Sequence, residues 1–360
     1  MKKISVTLFF LFLCIQLLGQ ATNEYKIHYF IKSSPLKNQQ SSGTCWSFAT
    51  TSFIETEAIR LRKEPISLSP IFYVHPTYIE KAKKYIDSEG KSRLDSGDLT
   101  FSVLKGYSKY GAIPEIVYNG IIEEDWQHDH VEMDNAIEAM IKSIATSGYG
   151  RIKPSSWKKA LQGVLNAYLG KIPDTFIYEQ KEYTPKSFAR EFVSINTNDY
   201  IEITSYSHYP FYENFILNIP ANWGENLYLN VPIKDFELLI DNALKKGYSL
   251  AWDGDASEPN FNFKSGVAKL TLKEELIAVT QEMRQKAFED GTTNDDHNMH
   301  LLGKATDEAG KEFYIMKNSE GMNDKGGYVY MSKNALMLKT ISVLVHKNAL
   351  PKEISKKLKI

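Results

Sequence analysis

The sequence predicts an α+β fold, and three features of its patterning carry that prediction. Apolar residues recur at helical spacing in several segments before Gly247, most clearly in Ile233 to Lys246, where Phe236, Leu239, Ile240 and Ala243 share one face. Short apolar runs bounded by glycine-containing turns follow, as in Phe313 to Lys317 and Tyr328 to Met331, and read as strands. At 360 residues, 42% of them hydrophobic, the chain can bury a large core as one bilobal unit or as two domains.

Taken in chain order, residues 1–20 stand apart. Lys2 and Lys3 precede an apolar run from Ile4 to Leu18, and Gly19, Gln20 and Ala21 follow, which is the layout of a secretory signal. The run is shorter than the roughly 20 residues of a membrane-spanning helix. The expectation is an exported protein, periplasmic or secreted, with no stable membrane insertion after cleavage; an uncleaved anchor is the alternative. Phe12 and Leu13 before Cys14 are too large for a lipid-modified cysteine. Once the signal is removed, Cys45 is the one cysteine left, so no disulfide forms within the chain. That leaves a reactive thiol, an intermolecular bridge or an inert buried cysteine.

Around Cys45 the residues run Gln39-Gln40-Ser41-Ser42-Gly43-Thr44-Cys45-Trp46-Ser47-Phe48. A polar turn leads into a helix whose apolar face is Trp46, Ala49 and Phe53, with charged Glu55, Glu57 and Arg60 further along. Cys45 therefore opens a helix. There the unpaired N–H groups and the helix dipole favour a thiolate, the nucleophilic form of cysteine. The turn can bring the Gln39 side-chain amide beside the Cys45 backbone N–H, and two such donors form an oxyanion hole.

Asp134 to Lys171 is mostly helical, interrupted at Gly148-Tyr149-Gly150 and Pro154. Thr184 caps a helix start, with Pro185 in its first turn. After the 233–246 helix, Gly247 ends it and Tyr248 to Trp252 reads as a strand. His297 opens a strand-like stretch, Asp295-Asp296-His297-Asn298-Met299-His300, in which residues 297 and 300 face opposite ways. The strand Phe313 to Lys317 delivers Asn318-Ser319-Glu320-Gly321, and Gly326-Gly327 lead into the next strand. His128 and His130 sit among acidic residues and read as part of a solvated acidic helix or loop rather than a metal site.

The string from Gln39 to Phe48 resembles the active-site segment of papain-like cysteine peptidases, and most of all the bleomycin hydrolase and bacterial aminopeptidase C branch. That branch, like this chain at Ser42, has serine where other exported relatives carry a disulfide cysteine. The resemblance extends weakly over residues 30–355, with its specific motifs around Cys45 and from His297 to Met331. It implies a two-lobed papain-like fold: a helical lobe with an insertion over about 30–230, a β-rich lobe over about 231–350, and a short tail at 351–360. It assigns Cys45 as nucleophile, His297 rather than His300 as base, Asn318 as the residue orienting that base, and Gln39 as oxyanion donor. The two aspartates before His297 would raise its pKa. Acyl transfer to Cys45 and hydrolysis then need no cofactor and no metal.

Two positions depart from the family. Asn298 stands where a small residue is usual. Glu320 replaces the tryptophan that covers the Asn–His hydrogen bond, which predicts a wetter pair, with Glu320 free to join Lys317 or Lys325. The resemblance also implies peptide substrates, N-terminal trimming guided by a C-terminal arm, and a homo-oligomer, by family analogy a hexamer. The tail ending at Ile360 is shorter than that arm, which keeps endopeptidase action as an alternative. A weakened peptide-binding relative and other thiol acyl-transfer enzymes are the further classes. A net charge of −1, with no phosphate loop and no basic-aromatic stripe, argues against nucleic acid as a partner.

Overall fold

Helices dominate the chain as far as residue 193, and a large sheet takes over from Tyr200. The coordinates are a computed structural model and describe residues 24–62, 65–123, 127–147 and 152–360. The expected signal segment and the glycine break at 148–150 lie outside the described residues.

The helical part holds α1 (Cys45–Arg62), α2 (Ile71–Asp87), α3 (Thr100–Tyr110), α4 (Val131–Ala145), α5 (Pro154–Leu169) and α6 (Pro185–Phe188). Helix α6 starts as predicted: Thr184 and Ser187 form a reciprocal capping box. The insertion is the α4/α5 pair, whose Met133, Ile137, Ile141, Leu161 and Leu165 complete one continuous core with α1 to α3. Four more helices lie in the second half: α7 (Ile233–Lys245), α8 (Gln281–Glu289), α9 (Lys333–Lys339) and α10 (Lys352–Leu358).

The strands are β1 (Tyr25–Phe30), β2 (Phe176–Tyr178), β3 (Lys181–Tyr183), β4 (Tyr200–Thr204), β5 (Asn214–Ile216), β6 (Leu227–Asn230), β7 (Leu250–Gly254), β8 (Phe261–Asn262), β9 (Val267–Ala268), β10 (His297–Asp307), β11 (Glu312–Lys317), β12 (Tyr328–Ser332) and β13 (Thr340–His346). All but β2 and β3, a separate hairpin, join one mixed sheet in the order β5-β6-β4-β13-β7-β10-β11-β12-β9-β8, with β1 pairing the far half of β10. The described residues thus bear out the α+β prediction. Strands β4 to β6 fall in the span assigned to the helical lobe, yet join the sheet, and β1, just ahead of that span, pairs with β10. β1 and β4 pair with β10 and β13, which are distant in sequence, so no local pattern marks where they belong.

Helix α1 lies against β7 and β10, between the helical core and the sheet. Its burial goes beyond the apolar face Trp46, Ala49 and Phe53 read from the sequence, because residues Trp46 to Ala58 are buried without interruption. Glu55 and Glu57 are 0% and 1% exposed rather than solvated. Glu55 accepts from Lys37 Nζ and the Leu68 N–H, each at 2.6 Å, and from Ser34 Oγ. Glu57 accepts from Arg60 at 2.7 Å and from the Tyr200 hydroxyl at 3.0 Å. A buried carboxylate survives only with such partners. Similarly, His130 is 3% exposed, and burial with the nearby His128 lowers its pKa to about 4, so it is not part of a solvated face.

Candidate active site

The turn before α1 is set by backbone geometry. Gly43 has φ +62°, and a Cβ there would stand 2.4 Å from Ser96 Oγ, so the position needs glycine. Trp46 Nε1 donates to Ser96 O at 2.9 Å and pins the first turn of the helix. From the other side, Ser41 N–H donates to His128 O at 2.9 Å and His130 N–H to Ser41 O at 3.1 Å. The His128–His130 segment thus braces the loop that carries Gln39 and Cys45. Among the described residues no cluster of His, Cys, Asp and Glu has the make-up of a metal site.

His297 and Asn318 meet because β10 and β11 are antiparallel, with His300 opposite Lys317. His297 opens β10 and Asn318 directly follows β11, so both project at the same end of the sheet. His297 Nε2 donates to Asn318 Oδ1 at 2.8 Å. The tautomer follows from the acceptor, and it leaves Nδ1 for the hydrogen bond with Cys45. Asn318 Oδ1 also accepts the Ser319 N–H at 2.8 Å. Ser319 Oγ in turn donates to Gln39 Oε1 at 2.7 Å, and Gln39 N–H donates to Ser319 O at 2.7 Å. Tying Oε1 in this way leaves the Nε2 end of the Gln39 amide as the available donor. All four sequence-predicted residues are therefore gathered in one network, at the N-terminus of α1 and the adjacent end of the sheet.

Burial alone would push the His297 pKa down. The hydrogen bond and charge of Cys45, then Asn318 and Glu320, outweigh it and raise the pKa to about 9. The lift thus comes mainly from Cys45, then Asn318 and Glu320, rather than from the two neighbouring aspartates. Asp296 accepts the Ala256 N–H at 2.8 Å, and Asp295 faces Arg93 at 3.8 Å. Glu320 is not joined to either lysine. Its Oε2 accepts from Asn318 Nδ2 at 3.3 Å, while Lys317 donates to Ser34 and Ser52 and Lys325 to Glu24. Nor is the pair wet: His297 and Asn318 are 8% and 4% exposed, and the Phe263 ring lies 5.7 Å from the imidazole. His300 accepts or donates at Ser52 Oγ, 2.9 Å away, two turns along α1 from the thiol.

Sequence reasoning missed Phe263 and undervalued Asn298. The Asn298 carboxamide oxygen stands 3.8 Å from Cys45 Sγ, and its Nδ2 donates to Asp253 Oδ1 at 3.1 Å. The pairing of β7 with β10 puts Asn298 opposite Asp253, a register that local sequence does not reveal. The ensemble can do acyl-transfer chemistry. It offers a thiol at a helix N-terminus, an imidazole in contact with it, an amide fixing the far ring nitrogen, and a free Gln39 amide N–H end held by Ser319 in the same network.

This fold, with Cys, His and Asn in this order along the chain, is that of a papain-like cysteine peptidase. Residues 168–360 match the model of the Peptidase C1-like family, and the chain belongs to that family. The matched span holds His297 and Asn318, whereas Gln39 and Cys45 precede it. Full-length comparison reaches further. The chain is 23% identical to aminopeptidase W of Lactobacillus delbrueckii subsp. lactis, over 88% of this chain and 82% of that one. It is 22% identical to aminopeptidase C of Lactococcus lactis subsp. lactis, over 93% and 86%. The crystal structure of PepW from Lactobacillus rhamnosis superposes with a TM-score of 0.75 at 20% identity, covering 92% of this chain and 84% of that chain.

Proposed function

We propose that this cysteine peptidase is an aminopeptidase working through a Cys45–His297–Asn318 triad with Gln39 in the oxyanion hole. The observation that carries this reading is His297, held between the Cys45 thiol and Asn318 Oδ1 with its pKa raised to about 9. A thiolate at the start of α1 attacks the scissile carbonyl carbon, and the oxyanion meets the Cys45 N–H and Gln39 Nε2. The His297 imidazolium gives its proton to the leaving amine as the acyl–sulfur bond remains. Water, deprotonated by the now neutral ring, then releases the acid. Trimming from the N-terminus is supported by the relatives named as aminopeptidases.

Endopeptidase action is the second reading, and the C-terminal helix favours it. Ile354 and Leu358 are seated in the sheet-lobe core, and Lys357 pairs with Asp235 at 3.1 Å, so these residues are committed to packing. Fluorogenic peptides with free and with blocked N-termini separate the two. Wild-type enzyme is expected to cut the free-amine set and Cys45→Ala neither set. Equal cutting of blocked peptides by wild type sinks the aminopeptidase assignment. Loss of all cutting in wild type sinks the catalytic assignment itself. Residues 1–20 are proposed to direct export, which N-terminal sequencing of the mature protein tests.

A further inference from the structure

Behind Asn298 lies a group of buried oxygens that the chemistry above leaves unused. Asp253, whose Oδ1 takes the Asn298 amide N–H, is 1% exposed, and its Oδ2 has no hydrogen-bond partner. Asp295 Oδ2 has none either. Tyr206 and Tyr228 are both 0% exposed with unpartnered hydroxyls, and both lie within electrostatic range of the two carboxylates. Leu99, Leu217 and Ile219 pack around the two tyrosines as an apolar wall. Four orphaned oxygens within electrostatic range of one another are costly, since each buried polar group left unpaired forfeits about 1–3 kcal/mol and charged ones more. Two cations lie close and neither answers the need: Arg284, 4.7 Å from the centre of the Tyr206 ring, spends its donors on the carbonyls of Ser205, Met337 and Ile341. Arg93 Nη1 is 3.8 Å from Asp295 Oδ2, and its Nε is committed to Asp95 at 2.6 Å.

We propose that Asp253 and Asp295, with the Tyr206 and Tyr228 hydroxyls, form a cation subsite beside the nucleophile for an ammonium or guanidinium group of the peptide substrate. The proposal rests on the peptidase reading of the cleft and deepens it. Oxygen acceptors at the end of an apolar wall suit an organic cation with N–H donors and an aliphatic stem. The cation has two sources in a peptide, the α-ammonium of the first residue or a lysine or arginine side chain. Asn298 contacts both the thiol and Asp253, so the carboxylates lie one side chain away from the reacting centre.

The electrostatics agree in direction. Burial first, then Asp295, Glu202 and Cys45, push the Asp253 carboxyl well above its usual range. Burial raises Asp295 against the opposing charge of Arg93, with Asp296 adding to the rise. A cation entering the pair favours the ionised carboxylates, so binding strengthens as pH rises through their elevated range and weakens as pH falls.

The test is calorimetric binding to the full Cys45→Ala chain of lysinamide, N-acetyl-lysinamide, norleucinamide and N-acetyl-norleucinamide, the last being the neutral reference. At least one charged probe is expected to bind tenfold or more tightly than the reference, about 1.4 kcal/mol. Tight N-acetyl-lysinamide points to a side-chain cation, tight norleucinamide to the α-ammonium. Asp253→Asn in the same background is expected to erase the preference. Equal binding of all four, binding of none, or a preference that survives Asp253→Asn overturns the subsite. If that variant fails to fold, the pH series on Cys45→Ala decides: a preference that does not weaken as pH falls overturns it. Because no turnover is involved, an inactive wild type with the binding pattern intact removes the catalytic reading and leaves the subsite standing.

Discussion

His297 carries the sharpest consequence at the scale of single residues. Its folded pKa, about 9, lies above the ordinary histidine value of 6.5 because Cys45, Asn318 and Glu320 outweigh the cost of burial. A raised pKa means that the charged ring contributes stability fully below about pH 6.5, and that this contribution is lost as pH rises through about 9. In Cys45→Ala the largest support goes. The His297 midpoint, followed by NMR of labelled histidine, is expected to fall well below 9, and an unmoved midpoint would show that the thiol is not what holds the proton. Glu320→Gln removes the outermost charge but keeps an acceptor for Asn318 Nδ2. A smaller downward shift and a loss in kcat/KM of less than about tenfold, ~1.4 kcal/mol, are expected. A loss of hundreds-fold would mean that Glu320 does more than supply charge.

At the scale of elements, α1 is the part whose sequence misleads most. It carries charged residues, yet the helix is enclosed by the helical core on one side and the sheet on the other. Glu55 satisfies the Leu68 N–H and Lys37 while accepting from Ser34, so one carboxylate ties α1 to two segments of connecting chain. Glu55→Ala leaves the Leu68 N–H without its acceptor, and leaves Lys37 with only Leu68 O and Glu115. Chemical denaturation is expected to register a loss of about 3–5 kcal/mol, the usual cost of breaking a buried charge pair. A loss under about 1 kcal/mol, typical of exposed pairs, would show that the site is wetter than its burial implies. The α4/α5 insertion, by contrast, was legible from spacing alone, because its apolar residues face a core built by its sequence neighbours α2 and α3.

Across the whole molecule, the helical part and the sheet meet through polar contacts as well as apolar ones. Lys317, on β11, donates to Ser34 O at 2.7 Å and to Ser52 Oγ on α1 at 2.8 Å, and His300 reaches the same Ser52. Burial lowers the Lys317 pKa to about 8, partly offset by Glu55. For a lysine with a depressed folded pKa, the folded state binds fewer protons than the unfolded state between the two values. Its contribution to stability therefore improves as pH rises from about 8 towards 10.5. Wild type and Lys317→Met are expected to differ in denaturation midpoint by an amount that shifts in favour of wild type over that range. A difference that stays constant with pH would mean that Lys317 does not titrate as buried.

The sequence by itself singled out Gln39, Cys45, His297 and Asn318, because a polar turn into a helix start and a strand ending in Asn-Ser are short-range patterns and the family resemblance runs through them. It also determined the α+β class and most helices, whose spacing is set by neighbours in the chain. Tertiary structure alone decided which strands join which sheet, that Glu55 and Glu57 are buried, that Glu320 supports Asn318, and that Asp253 stands behind Asn298 near the thiol. Each of these depends on a contact between residues distant along the chain or on enclosure by such residues. Strand register and burial are settled only when the whole core closes.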